Sequence, residues 1–421
     1  MHWERLSSDE VAKRIFAALS ANIRYESAPV MGLPGSILDR EVFPLLPELQ
    51  RHPLLSCFRE NPNHIGCHTA APGESAFRGT QEIELDLLRI CAVEILGAEP
   101  GGYDGYVASG GTESNIQALW AFRNFFRRAQ GAGRDEVAVL CSEDSHYSIH
   151  KAADLLDLRQ VIVPVDPETR RMRPADVEAA CRGAHAAGTR FFCVVLNMGT
   201  TMFGSIDSAD DVLPILERLG LPYRAHVDAA FGGFIYPFVA KENPLRFTDQ
   251  RLSSFTMDAH KILQAPYGTG IHLIRKGLIE YVCTDEATYV PGLDSTLSGS
   301  RSGTNAIAVW MILRAYGAEG GERFCRALAR RTDRLCAELK SLGVGHYRHP
   351  HMNVIALRAE DTPRALAEKH FLVPDRHEGE PGWWKIVVMD HVTHPRITEF
   401  LEDARAMGAG HRELGTPRES V

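Results

Sequence analysis

Lys261 closes the run Ser253-Ser-Phe-Thr-Met-Asp-Ala-His260-Lys261, just past a short β-like stretch and directly after a histidine. Upstream, His226-Val-Asp228-Ala-Ala230-Phe-Gly-Gly reads as an apolar strand that ends in an aspartate. A lysine amine condenses with an aldehyde to give an imine, and the apolar Ile262 and Leu263 beside Lys261 favour the uncharged, nucleophilic form. A carboxylate at the position of Asp228 is costly to bury without a cationic partner, and a protonated ring nitrogen is such a partner. Ala230 leaves room there for a flat ring. The plainer readings are a surface lysine, and an aspartate that caps the next helix.

Three further stretches carry groups that suit the same chemistry. Ala108-Ser-Gly110-Gly111-Thr112-Glu-Ser-Asn115 lies between a short strand and a helix, so its glycines admit close backbone approach. The helix start beyond them offers free amide hydrogens to a phosphate, and the Thr112 hydroxyl adds a donor. His146, in Ser-Glu-Asp-Ser-His146-Tyr-Ser, follows a strand and is placed to lie flat on a ring. Thr200, in Asn197-Met-Gly199-Thr200-Thr201, follows the most apolar strand and offers a hydroxyl to a phenolic oxygen. Each has a bland reading as a turn, a helix cap or a polar loop. Five in order at successive strand exits are another matter. An imine-forming lysine, a carboxylate for a ring nitrogen, an anion cradle and a stacking imidazole are together what pyridoxal phosphate (PLP) requires.

The elements that must position these groups alternate along the chain. Gly105–Ala108, Val137–Cys141, Val161–Val165, Phe191–Leu196, Tyr223–Val227, Leu252–Thr256 and Gly270–Ile274 read as strands, and Ser114–Arg128 as a helix between the first two. Phe191–Leu196 is apolar throughout, which suits a strand buried on both faces. Such alternation predicts an α/β fold with a mainly parallel central sheet covered by helices, and ligand sites at the carboxyl ends of its strands. Residues 1–60 read as an N-terminal arm, in which Ser7 and Glu10 have the spacing of a capping box. Leu85–Leu96 reads as an amphipathic helix. Residues 61–300 form the expected large domain and 301–421 a small C-terminal α+β domain. The latter has a long helix from Asn305 to Leu342, interrupted around Gly317–Gly321, strands at Val354–Arg358 and Lys385–Met389, and a last helix at Ile397–Ala404.

The bulk properties exclude several function classes. A chain of 421 residues with formal net charge −8 has no global electrostatic attraction to nucleic acid or anionic membranes. No apolar run suggests a membrane span, and the first residues do not read as a signal peptide. Nine scattered cysteines without a Cys-x-x-Cys pair fit a reducing, cytoplasmic setting. His64, Cys67 and His68 lie close together, but without a second ligand pair the expectation is no metal.

Taken in order, these residues resemble the group II PLP-dependent amino-acid decarboxylases, over about residues 60 to 405. Gly-Gly-Thr-Glu-Ser-Asn, Ser-His-Tyr-Ser, Asn-Met-Gly-Thr-Thr and Gly299-Ser-Arg301-Ser-Gly are similar to the serine and histidine decarboxylase branch. Val-Asp-Ala-Ala-Phe-Gly-Gly-Phe and Ile-Tyr-Pro-Phe are similar to archaeal tyrosine/aspartate decarboxylases. The resemblance implies the aspartate-aminotransferase-like fold (fold-type I) and a set of roles. Lys261 would form the Schiff base, Asp228 pair with the pyridine nitrogen and His146 stack on the ring. Gly111, Thr112 and His260 would bind the phosphate, Thr200 approach the phenolic oxygen and Ala230 sit under the ring. It further implies a homodimer with active sites at the interface, where Ser300 reaches the phosphate of the other subunit.

The expected reaction is release of CO2 from an L-amino acid to leave a primary amine, the histidine, serine, aromatic and acidic types all remaining open. Substrate choice is assigned to the arm around Met31-Gly-Leu-Pro and to the loop near His64–Phe77. The segment around Tyr289 is shorter than the mobile loop of animal aromatic decarboxylases, which makes Tyr289 only a candidate proton donor to the α-carbon. The alternatives are transamination, for which Arg348, Arg358 or Arg376 would have to clamp a carboxylate, retro-aldol cleavage, or a non-catalytic PLP-binding protein.

Overall fold

The computed structural model describes residues 1–23, 31, 75–283 and 293–410. Met31 is exposed. Tyr289, His64, Cys67 and His68, and all of the two proposed substrate segments except Met31 and Ser75–Phe77, lie outside the described residues.

Seven strands build the main sheet: β1 (Tyr103–Ala108), β2 (Val137–Ser142), β3 (Arg159–Val163), β4 (Phe191–Asn197), β5 (Tyr223–Asp228), β6 (Leu252–Asp258) and β7 (Gly270–Arg275). Their order is β1-β7-β6-β5-β4-β2-β3. β6, β5, β4, β2 and β3 are parallel neighbours, and β7 runs antiparallel between β1 and β6. β1, β2, β4, β5 and β6 therefore all end at the same edge, which is where the five chemical groups were expected.

The expected strand buried on both faces is β4. Phe192, Val194 and Leu196 enter the core on one side of the sheet, whereas Cys193 and Val195 enter the core on the other. This is the period-two alternation of a pleated strand with apolar contacts on both faces, each such side chain contributing about 1.5–3 kcal/mol through burial. The outer layers include α1 (Ser8–Ala21), α2 (Arg78–Arg89), α3 (Gly111–Ala129), α4 (Tyr147–Leu156), α5 (Pro174–Ala186) and α6 (Ala209–Arg218). α1 starts with the capping box anticipated from Ser7 and Glu10: the Ser7 amide donates to Glu10 Oε2 at 2.8 Å. At its far end, the Asn22 side-chain Oδ1 accepts from the amides of Gly79 and Thr80, supplying α2 with a cap from a distant part of the chain.

The helix expected over Leu85–Leu96 divides. α2 ends at Arg89 and Ile90–Ile95 continues as a π-helix, with Leu96 donating to Cys91 five residues back. Nothing in the spacing of the apolar residues marks that change. The long C-terminal helix α7 (Gly303–Ser341) breaks at Gly317, whose φ of 63° and ψ of 177° are open to glycine and strained for other residues. The helix belongs to the main core on both sides of that break (Ile307, Trp310 and Leu313 before it, Cys325 and Leu328 after it), and only its last turns (Leu335, Leu339) enter a separate C-terminal core.

That second core lies under a four-stranded antiparallel sheet of β8 (His346–Tyr347), β9 (Val354–Arg358), β10 (Val373–Pro374) and β11 (Trp383–Val387), ordered β10-β11-β9-β8, with α8 (His394–Ala406) packed on it. On its other face the sheet meets Phe203, whose ring lies edge-on to Trp383 and Tyr347 at 5.4 and 5.9 Å. The architecture is α/β with a mainly parallel sheet and a small antiparallel C-terminal sheet. Among the described residues no helix is long and apolar enough to cross a membrane.

Candidate active site

A cavity of about 330 Å³ opens where the five strands end. Gly111, Thr112, His146, Thr200, Asp228, Ala230, His260 and Lys261 all line it. One sequence-derived candidate does not: Ser300 is exposed and lies outside this cavity.

Asp228 ends β5 with a largely buried carboxylate, 7% exposed. It is not an N-cap, since no α-helix begins there. Instead Oδ1 accepts from the Ala230 amide at 3.1 Å and Oδ2 from Asn115 Nδ2 at 2.9 Å. Asn115, one turn into α3, is the hub of this end. Its carbonyl oxygen lies 2.9 Å from Nε2 of His226, and its amide nitrogen also donates to Ser148 Oγ at 2.9 Å. His226 lies wholly inside the sheet, and its Nδ1 sits 2.7 Å from Ser254 Oγ. Burial pushes its imidazole down to about 4, so it is neutral at physiological pH.

His146 sits at the N-terminus of α4. The Ser148 amide donates to its Nδ1 at 3.3 Å, and Ser148 Oγ lies 2.8 Å from the same atom. Burial lowers its pKa below the ordinary histidine value, with the Asp228 charge opposing that shift.

The opposite end of the cavity is less complete. Lys261 follows β6, and its Nζ lies 3.0 Å from Asp258 Oδ2. Asp258 is 3% exposed, and burial raises its pKa even though Lys261 and His260 counteract that. Asp258 Oδ1 and His260 Nδ1 are buried with no hydrogen-bond partner. Gly111, the first residue of α3, is pressed against this group. A Cβ there would sit 2.9 Å from Asp258 Oδ2 and 3.1 Å from the Ala230 methyl. Only glycine lets the helix start approach the β6 exit so closely.

Thr200 Oγ1 lies 2.7 Å from Ser205 Oγ and accepts from the Ser205 amide at 3.1 Å, which holds its loop beside the cavity. Lys385 on β11 is half-buried, and burial followed by the Lys261 charge holds its ammonium below the usual lysine range. The three arginines considered for a transaminase-type clamp are engaged elsewhere. Arg348 pairs with Asp333, Arg358 stacks on Trp383 at 4.0 Å, Arg376 lies near Asp375, and none lines the cavity.

Sequence reasoning passed over Asn115, Ser148, His226 and Asp258. A signal existed for two of them: Asn115 is a polar residue on the buried stripe of an amphipathic helix, and Asp258 precedes Lys261 by one helical turn. His226 had none, because its partners Asn115 and Ser254 are remote in sequence, and the contact of Ser148 with Asn115 is remote as well, although its contact with His146 spans only two positions.

A buried carboxylate facing a cavity, a small residue beside it, a helix start with no room for a side chain, and unpaired buried polar atoms near a lysine fit a flat cationic ring bearing a phosphate. Known proteins agree. Residues 85–347 match the family model described as the pyridoxal-dependent decarboxylase conserved domain. The chain is 41% identical to a tryptophan decarboxylase of Clostridium sporogenes, over 97% of this chain and 98% of that one. It is 34% identical to a probable L-tyrosine/L-aspartate decarboxylase of Methanothrix thermoacetophila, over 78% of this chain and 81% of that one. Among solved structures, an L-methionine decarboxylase variant of Streptomyces sp. 590 superposes with a TM-score of 0.69 at 20% identity, over 94% of each chain, a likeness of fold alone. The chain belongs to the pyridoxal-dependent decarboxylase family, and is an enzyme that uses pyridoxal phosphate to decarboxylate an amino acid.

Proposed function

We propose that the substrate is an aromatic L-amino acid and the product the corresponding arylalkylamine. The observation that carries this reading is the 41% identity, end to end, with a tryptophan decarboxylase. The cavity supports it: Tyr147, Phe231 and Tyr267 contribute to its lining, and no arginine lies among the described lining residues to meet an acidic side chain.

When bound, PLP supplies the electron sink into which the bond to the carboxylate breaks. The residues then divide the work. Lys261 provides the amine that attaches the cofactor. Asp228, aligned by Asn115, holds the proton on the pyridine nitrogen. His146 and Ala230, which line the same cavity, would cover the two faces of the ring. Gly111, Thr112 and His260 hold the phosphate at the start of α3, joined by Ser300 of the partner subunit in a cytoplasmic homodimer. Thr200 meets the phenolic oxygen. Tyr289 is the candidate donor of the proton that the α-carbon takes up as CO2 leaves.

The test uses the full-length protein with PLP and the twenty common L-amino acids, following CO2 and amine together. The expected outcome is CO2 release fastest from tryptophan, tyrosine or phenylalanine, with borohydride fixing a pyridoxyl label on Lys261. Preference for aspartate or glutamate overturns the substrate class. A keto acid formed with stoichiometric pyridoxamine phosphate overturns the reaction.

A further inference from the structure

We propose that Ser148 and Asn115 form a positioning relay that holds His146 as a neutral imidazole with its proton on Nε2, so that this ring donates a hydrogen bond into the cavity. The inference rests on the reading above that His146 faces the cofactor and substrate, and it concerns the state in which the ring does so.

The argument is a count of hydrogens. The Asn115 amide nitrogen has two, one directed at Asp228 Oδ2 and one at Ser148 Oγ, each across 2.9 Å. The amide cannot be turned round, because its oxygen would then lie 2.9 Å from the Asp228 carboxylate with no hydrogen between the two acceptors. In the observed sense, His226 Nε2–H donates to Asn115 Oδ1 at 2.9 Å, while Ser254 Oγ, 2.7 Å away, donates to Nδ1. Ser148 Oγ therefore accepts from Asn115, and its own hydrogen is free for His146 Nδ1 at 2.8 Å. The Ser148 backbone amide converges on the same nitrogen at 3.3 Å. Two donors aimed at Nδ1 require it to be bare, and a neutral imidazole with a bare Nδ1 carries its proton on Nε2.

The chain of contacts thus runs from the residue proposed to hold the pyridine nitrogen to the residue proposed to cover the ring. Orienting Asp228 and choosing the His146 tautomer become one event, performed by one buried asparagine. Neutral His146 is also what its surroundings favour. Asp228 and Asp258 attract a charge on the ring, but burial outweighs them, while Lys261 from the β6 exit and Lys151 on the same helix repel it. Tyr147 contributes only a ring contact, at 4.1 Å between centroids. Such a histidine donates to a substrate carboxylate without bringing a full positive charge, which would stabilise the carboxylate and oppose loss of CO2.

The experiment is long-range 1H–15N spectroscopy on full-length protein labelled at histidine, with and without PLP, the His146 signals being assigned by their loss in His146→Asn. The expected wild-type spectrum shows a proton on Nε2 and an unprotonated Nδ1 at neutral pH. Ser148→Ala removes a donor to the neutral ring, so the His146 titration should move up by about half to one pH unit. The acid limb of kcat/KM should follow it. Ser148→Cys, with a weaker donor of similar shape, should lie between. A proton on Nδ1 in the wild type, or a titration unmoved in a folded Ser148→Ala, overturns the relay. If Ser148→Ala does not fold, the wild-type tautomer decides the matter alone. A protein that shows the expected tautomer yet releases no CO2 from any amino acid would sink the substrate proposal and leave the relay standing.

Discussion

The two ends of the active-site cavity are built to different standards of completeness. At the Asp228 end, Asn115, Ser148, His226 and Ser254 satisfy one another through hydrogen bonds of 2.7–2.9 Å, and both carboxylate oxygens are engaged. At the Lys261 end, Asp258 Oδ1 and His260 Nδ1 are buried without partners, and a carboxylate lies against the helix start proposed to receive a phosphate. Buried polar atoms are nearly always paired in native proteins, so unpaired ones in a cleft mark where a ligand supplies the missing contacts. The difference teaches a division of labour. One end is preorganised, so its electrostatics cost no rearrangement during reaction. The other gains its full set of partners with the cofactor.

Breaking the preorganised end should have the largest effect. Asp228→Ala removes the group that balances charge on the ring nitrogen, and kcat should fall about 10²–10³-fold, the range for losing one buried electrostatic contact to the reacting system. Steady-state CO2 release with saturating PLP measures it. A fall of kcat below tenfold would place the ring elsewhere.

The incomplete end should respond in the opposite sense. Asp258→Asn keeps the shape, removes a negative charge from beside the proposed phosphate site and dissolves the ion pair with Lys261. PLP affinity should rise about three- to tenfold, the size of one partly screened like-charge contact. Equilibrium dialysis or fluorescence titration reads it. Weaker binding would mean that Asp258 acts as an ally of the phosphate, by way of His260.

The smallest effect concerns acid stability. His226 is held neutral, with its pKa pushed from 6.5 down to about 4. The unfolded chain therefore binds the proton more readily between those values. The stability contributed by the neutral ring is complete above pH 6.5, and is lost as pH falls from there through about 4. His226→Gln cannot take up that proton, so its thermal midpoint should decline less steeply over the same interval, even if it is lower at neutral pH. Parallel curves would show that His226 does not govern acid lability. His272, pushed down to about 3, still titrates in both proteins and sets the residual slope.

Much of this was legible in the chain. Asp228, His146, Thr200 and Lys261 stand at or just beyond strand ends, and a strand end is a local property, visible where apolar alternation stops. Five parallel-running strands then bring such residues to one edge whatever the details of packing. The expected helix over Leu85–Leu96 missed the π-helix at Ile90–Ile95, because apolar spacing carries no mark of a change in backbone hydrogen bonding. The substrate segments and Tyr289 lie outside the described residues.

Residue types and their order along the chain determined by themselves the chemistry available, the mainly parallel sheet and the edge at which the reactive groups gather, because strand period and the rules of strand connection act over short spans. Only the tertiary structure decided who partners whom. Asn115 reaches Asp228 across 113 positions, Thr256 donates to Ser114 across 142, and Asp258 is pressed against Gly111. Hydrogen-bond direction, charge state and tautomer depend on atoms brought within 3 Å, and no local pattern in a sequence specifies such distances.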